Sequence, residues 1–130
     1  MEEPLERARK ALLGAWQLVA FEDRPSETDP WTQTYGPDPA GVIVYEASGT
    51  VTTLVLPSGS VDELVAYHGT FRVTVAERDG DALRGTVEHD MEIASPAWLH
   101  DEEPPRPFEL SGDRLVLGDQ RTARRVLKRR

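Results

Sequence analysis

From Ala15 onward apolar and polar positions alternate in short runs rich in Val, Leu, Thr and aromatic residues. Gly, Pro, Asp and Ser interrupt the runs about every ten residues, the rhythm of an all-β chain. The pattern predicts eight strands, near 15–23, 40–47, 49–57, 64–76, 83–94, 106–111, 113–118 and 122–129. Ala47-Ser48-Gly49, Asp79-Gly80-Asp81, Ser111-Gly112-Asp113 and Gly118-Asp119 are tight-turn signals, and turns this short join antiparallel neighbours. An up-and-down meander follows, and closure into an eight-stranded antiparallel barrel is the most economical way to remove its edges.

Before Ala15 the period changes. Leu5, Ala8 and Leu12 recur at helical spacing within Glu2 to Leu13, acids precede bases as a helix dipole favours, Pro4 stands in the first turn, and Gly14 ends the run. So short a helix is marginal alone and must lay its apolar stripe on the barrel. The organisation expected is one domain, with residues 1–14 a helix packed on a barrel of residues 15–130.

Alternation also assigns faces. Trp16, Leu18 and Ala20 share one face of the first strand; Tyr67, Gly69, Phe71 and Val73 one face of the fourth; Val87, His89, Met91 and Ile93 one face of the fifth. These faces, with Ile43, Tyr45, Leu54, Phe108, Leu115 and Leu117, are the expected interior. A barrel of eight strands holds one small ligand, so Leu18, Tyr45, Leu54, Phe71, Met91 and Phe108 are candidate ligand contacts. Two Pro-rich loops, 24–39 and 95–105, are long enough to lie over a barrel mouth. Each carries a tryptophan, which adds Trp31 and Trp98 to the candidates.

The charged residues exclude several classes of partner. Asp and Glu number 23 against 15 Lys and Arg, a formal charge of −8, so neither nucleic acid nor an anionic membrane is an expected partner. Six of the bases fall in residues 121–130 without an acid, which reads as a last strand neutralising acidic neighbours. No apolar run approaches the roughly 18–20 residues of a membrane span, and Met1-Glu2-Glu3 does not open like a secretory signal, so a cytoplasmic location is expected. Without cysteine there is no thiolate nucleophile, disulfide or zinc ribbon. His68, His89 and His100 lack metal-ligand spacing, and no glycine-rich phosphate loop leads a strand into a helix, so neither metal nor cofactor is expected.

Several motifs, in order, resemble the bacterial and fungal lipocalin-like domain family. They are Leu13-Gly14-Ala15-Trp16 with Gln17-Leu18-Val19, Tyr35-Gly36-Pro37-Asp38-Pro39-Ala40-Gly41, Tyr67-His68-Gly69-Thr70-Phe71, Thr86-Val87-Glu88-His89, Ser95-Pro96-Ala97-Trp98, and the hairpin from Phe108 to Leu115. The likeness covers about residues 12–129. Glu88 stands where the family's first His usually falls, and Leu127 where a Trp usually precedes the closing Arg, here Arg129. The resemblance implies a lipocalin-like barrel that holds a ligand, with Trp16 plugging the closed end under Arg129, and leaves the chemistry open.

Interior polar residues then set the candidate chemistry. His89 is the histidine that alternation places inside, where it could titrate near neutrality and act as general acid or base while hydrogen-bonded to Tyr67 or Tyr45. Glu88, Asp90 and Glu92 repeat at period two and belong on a solvated face, paired with bases such as Arg72 or Arg84. A bulge turning Glu88 inward would make it an acid–base group. The candidate catalytic residues are therefore His89, Tyr67 and Glu88. Two functions fit. One is cofactor-free cyclisation or isomerisation of a polyketide- or polyene-like substrate in bacterial natural-product biosynthesis; the other is a non-catalytic carrier of such a molecule. The expected partner is that hydrophobic small molecule, and a homodimer is left open.

Overall fold

The computed structural model describes residues 3–58, 64–96 and 105–130. Helix α1 (Pro4–Leu12) starts at its proline and buries Ala8 and Leu12. Among the described residues nine strands follow: β1 (Gly14–Asp23), β2 (Thr32–Gln33), β3 (Ala40–Tyr45), β4 (Thr50–Leu56), β5 (Val65–Asp79), β6 (Ala82–Ser95), β7 (Arg106–Ser111), β8 (Arg114–Leu117) and β9 (Ala123–Arg129). Each strand from β3 to β8 pairs antiparallel with the next, β3 pairs back to β1, and β9 pairs with β1, so eight strands close a ring. The fold is the antiparallel barrel that the alternation predicts. The addition is β2, two residues inside loop 24–39 that pair with Glu22 and Asp23 at the end of β1.

Three bulges modify the alternation. In β1, Leu18 pairs with Leu127 and Ala20 with Val126, so Val19 is an extra residue. The extra residue reverses the face of everything after it. Ala20 therefore does not line the interior as expected, and Phe21 and Asp23 do. In β6 the same happens around Glu92, because Gly69 pairs with Met91 while His68 pairs with Ile93. Ile93 is consequently turned out and is 69% exposed, and Ala94 packs instead against Tyr67 and Met91. The third bulge is Thr74 of β5, between Val73 and Val75.

One end of the barrel is shut by the packed group Ala8, Leu12, Trp16, Tyr45, Phe71, Val87, Phe108, Leu115 and Leu127. Here the helix and the first and last strands lock together. Trp16 is fully buried, its indole Nε1 donates to the Leu12 carbonyl at 2.8 Å, and the Arg129 guanidinium lies 4.1 Å from its ring centroid. Arg129 also donates to the carbonyls of Leu13 and Ala11, both at 2.9 Å. The last carbonyls of α1, which have no intrahelical partner, are thus satisfied by side chains of the barrel. The Trp–Arg plug is the one implied by the resemblance; the helix cap made from the same two residues is an addition.

Three bases of the C-terminal run, just before β9 and at its start, pair with acids. Arg124 meets Glu22 at 2.8 Å, Arg125 meets Asp23 at 2.9 Å, and Arg121 meets Glu27 at 3.2 Å. This is the neutralising role expected from its composition. No helix among the described residues is long and apolar enough to cross a membrane.

Candidate functional site

The other half of the barrel holds a cavity of about 950 Å³. Leu18, Ile43, Val55, Val65, Met91 and Leu117 supply apolar wall. Tyr35 reaches in from loop 24–39 and stacks on Phe21, with ring centroids 4.4 Å apart. Polar groups are few: Asp23, Thr34, Thr53, Tyr67, Arg106 and Arg125. Arg125 lies over Phe21 at 3.7 Å, pairs with Asp23, and so spans charge and ring at the wall made by β1 and β9. Thr34 donates to the same Asp23 carboxylate.

At the boundary between cavity and closed end three side chains join in a line. Tyr45 Oη lies 2.8 Å from His89 Nε2, and Tyr67 Oη lies 2.8 Å from His89 Nδ1. Neighbouring strands place them: Tyr45 ends β3, Tyr67 stands on β5, and His89 on β6 lies across from Phe71 of β5. Tyr45 is 1% exposed and sits in the packed end, whereas Tyr67 is 8% exposed and lines the cavity. The line therefore leads from core to cavity, with His89 in the middle at 2% exposure.

Burial governs the protonation of all three. Burial first, and the Arg106 charge second, push the His89 pKa down to about 3. His89 is a neutral imidazole at physiological pH, which corrects the expectation that it titrates near neutrality. Burial also raises both phenols above the ordinary tyrosine range, with Arg106 opposing the rise in each and Thr53 opposing it in Tyr67. Arg106 lies 5.9 Å from the Tyr67 ring centroid. Tyr67 is thus a hydrogen-bond donor at neutral pH and has no tendency to act as a phenolate base.

The sequence-predicted residues divide into three groups. Leu18, Tyr67 and Met91 line the cavity as expected. Tyr45, Phe71 and Phe108 point inward but belong to the packed end, where Tyr45 and Phe71 meet edge-on at 4.8 Å; they support the cavity floor and do not form its wall. Glu88, Leu54 and Trp31 are corrected. Glu88 faces outward and pairs with Arg72 across the strands at 2.7 Å, since no bulge falls between Val87 and His89 to turn it in. Leu54 is 41% exposed because Val51, Thr53 and Val55 take the inward positions of β4. Trp31 lies between the guanidinium groups of Arg24 and Arg124, 4.1 and 4.0 Å from its ring centroid, and the loop offers Tyr35 to the cavity in its place. Trp98 lies outside the described residues.

Sequence reasoning missed Phe21, Asp23, Tyr35, Thr53, Arg106 and Arg125. Thr53 was legible in principle, because placing Val51 and Val55 on one face of β4 carries Thr53 with them. Phe21, Asp23 and Arg125 follow only once the Val19 bulge is known. Comparison of the chain with family models, with curated proteins and with solved structures gives no match.

Proposed function

We propose that the barrel binds one hydrophobic small molecule of polyketide or polyene dimensions and promotes its cofactor-free cyclisation or isomerisation, as a member of the lipocalin-like domain family. The closed eight-stranded ring, the helix over one end and the Trp16–Arg129 plug support the family reading. The observation that carries the function is the convergence of Tyr45, His89 and Tyr67 at the inner limit of the cavity. A carrier needs only apolar wall, and a buried polar line that ends on the wall is costly unless each member is paired.

The volume falls in the range of roughly 300–1,000 Å³ that small-molecule sites occupy. Inside it an extended, flexible chain is held in few conformers, which converts ordering done on binding into rate. Tyr67 adds a preorganised donor where charge develops on a carbonyl or enol oxygen, and His89 holds that phenol in place. Neutral imidazole and protonated phenol both suit a reaction helped by hydrogen-bond donation to a developing oxygen charge, in which neither residue takes up or gives away a proton.

Native mass spectrometry of freshly purified protein tests the reading. The expected result is one apolar molecule of a few hundred daltons per chain, on the order of what such a cavity encloses. Incubating its open or isomeric precursor with the protein should then speed conversion over buffer. Binding without any acceleration overturns the catalytic part and leaves a carrier; absence of binding overturns both.

A further inference from the structure

A neutral imidazole has one N–H and one lone pair, so His89 donates to one of its two tyrosines and accepts from the other. Tyr45 decides which. Its hydroxyl is buried, and its one hydrogen-bond partner among the described residues is His89 Nε2. If Nε2 carried the proton, the Tyr45 hydroxyl hydrogen would be shut in the core with no acceptor, at the full desolvation penalty of that group. Tyr45 therefore donates to Nε2, the proton of His89 sits on Nδ1, and Nδ1–H donates to Tyr67 Oη. The hydroxyl hydrogen of Tyr67 is left over, at the cavity wall.

A second group on the same wall is also unspent. Thr53 pairs in register with Tyr67 across β4 and β5, and both side chains line the cavity. Thr53 is 4% exposed and its Oγ1 has no hydrogen-bond partner among the described residues. Had Tyr67 spent its hydrogen on Thr53, neither would be unsatisfied. The Thr53 hydroxyl lies near enough to the Tyr67 phenol to lower its pKa, yet its Oγ1 has no hydrogen-bond partner among the described residues, so the wall presents two neighbouring hydroxyls to the cavity.

We infer that Tyr67 and Thr53 form a two-donor subsite for one oxygen of the bound molecule, a ketone carbonyl or its enol. This rests on the proposed binding of a hydrophobic ligand and deepens it, because it makes the ligand a carbonyl compound whose oxygen enters first. Tyr45 and His89 are positioning residues: they touch no ligand, and their chain of donation keeps Tyr67 a donor.

The first test uses the protein alone. Long-range ¹H–¹⁵N correlation on protein labelled with ¹⁵N-histidine, at pH 7, should show His89 as the Nδ1–H tautomer, assigned by loss of its signals in His89→Gln. The Nε2–H tautomer overturns the subsite and leaves ligand binding untouched. The second test titrates 2-acetylnaphthalene against 2-isopropenylnaphthalene, which have the same number of non-hydrogen atoms and differ in that a methylene replaces the carbonyl oxygen. The wild type should bind the ketone about 10-fold more tightly, the effect of one net hydrogen bond. The preference should disappear in Tyr67→Phe and shrink in Thr53→Val. Equal binding of both probes, or a preference unchanged in both variants, removes the subsite while the cavity reading stands. Failure of both probes to bind removes the binding reading, and the subsite with it.

Discussion

His89 illustrates how burial selects one protonation state. Its pKa lies near 3 in the folded chain against about 6.5 in the unfolded one, so between these values the unfolded state binds a proton that the folded state does not. Stability from this group is complete above pH 6.5 and falls as the pH drops from 6.5 toward 3, by about 1 kcal/mol per pH unit. Urea denaturation at pH 7, 5.5 and 4.5 should show this slope in the wild type and a shallower one in His89→Gln; equal slopes would mean that His89 is not buried neutral. Asp119 acts in a separate window. The backbone N–H of Thr122 first, and those of Arg121 and Ala123, bring its pKa to about 2, so what it contributes is lost only below the ordinary carboxylate range near pH 4.

At the scale of elements, the closed end depends on contacts between segments distant in the chain. Trp16→Ala should cost about 3–5 kcal/mol, since it deletes a fully buried aromatic and the donor to the Leu12 carbonyl. Arg129→Ala should cost less, because its side chain is 34% exposed, but the two should couple by more than about 0.5 kcal/mol in a double-mutant cycle. Additive losses would show that the stacked plug contributes nothing as a unit. The bulge in β6 makes its own demand. A Cβ on Gly69 would collide with the Asp90 carbonyl, which is backbone and cannot turn away. Gly69→Ala should therefore lower the urea midpoint by an amount equal to about 1–3 kcal/mol, the usual cost of overpacking. An unchanged midpoint would place the bulge elsewhere.

For the whole molecule, the division into packed end and open cavity predicts which substitutions reach a ligand. An apolar environment-sensitive dye should bind at one site per chain, and Val65→Trp on the cavity wall should weaken it by about 10-fold or more through lost volume. Leu54→Trp, one position out of phase with Val55 on the outer face of β4, should leave the affinity unchanged. Loss of binding in both variants, or in neither, would contradict the register of β4 or the position of the cavity.

The amino-acid sequence by itself determines the eight strands, the helix at residues 4–12 and the inward set Trp16, Tyr45, Tyr67, Phe71 and His89, because a period of two or of 3.6 is a local property. The pairing of His89 with a tyrosine was equally legible: two aromatic hydroxyls and one imidazole on inward faces of a small barrel have little else to meet. What tertiary structure alone decided is where that alternation slips. The extra residues Val19 and Glu92 show no signal in composition, yet each reverses the faces beyond it, exchanging Ala20 for Phe21 and Ile93 for Ala94. Closure imposes such bulges, since eight twisted strands meet in a ring only where some of them bend. The same closure sorts the inward residues by depth: Phe71 meets Arg9 of helix α1 at the shut end, and Leu18, Thr53 and Met91 are left facing open space. Depth along a barrel axis depends on the stagger between strands far apart in the chain, which no local pattern encodes.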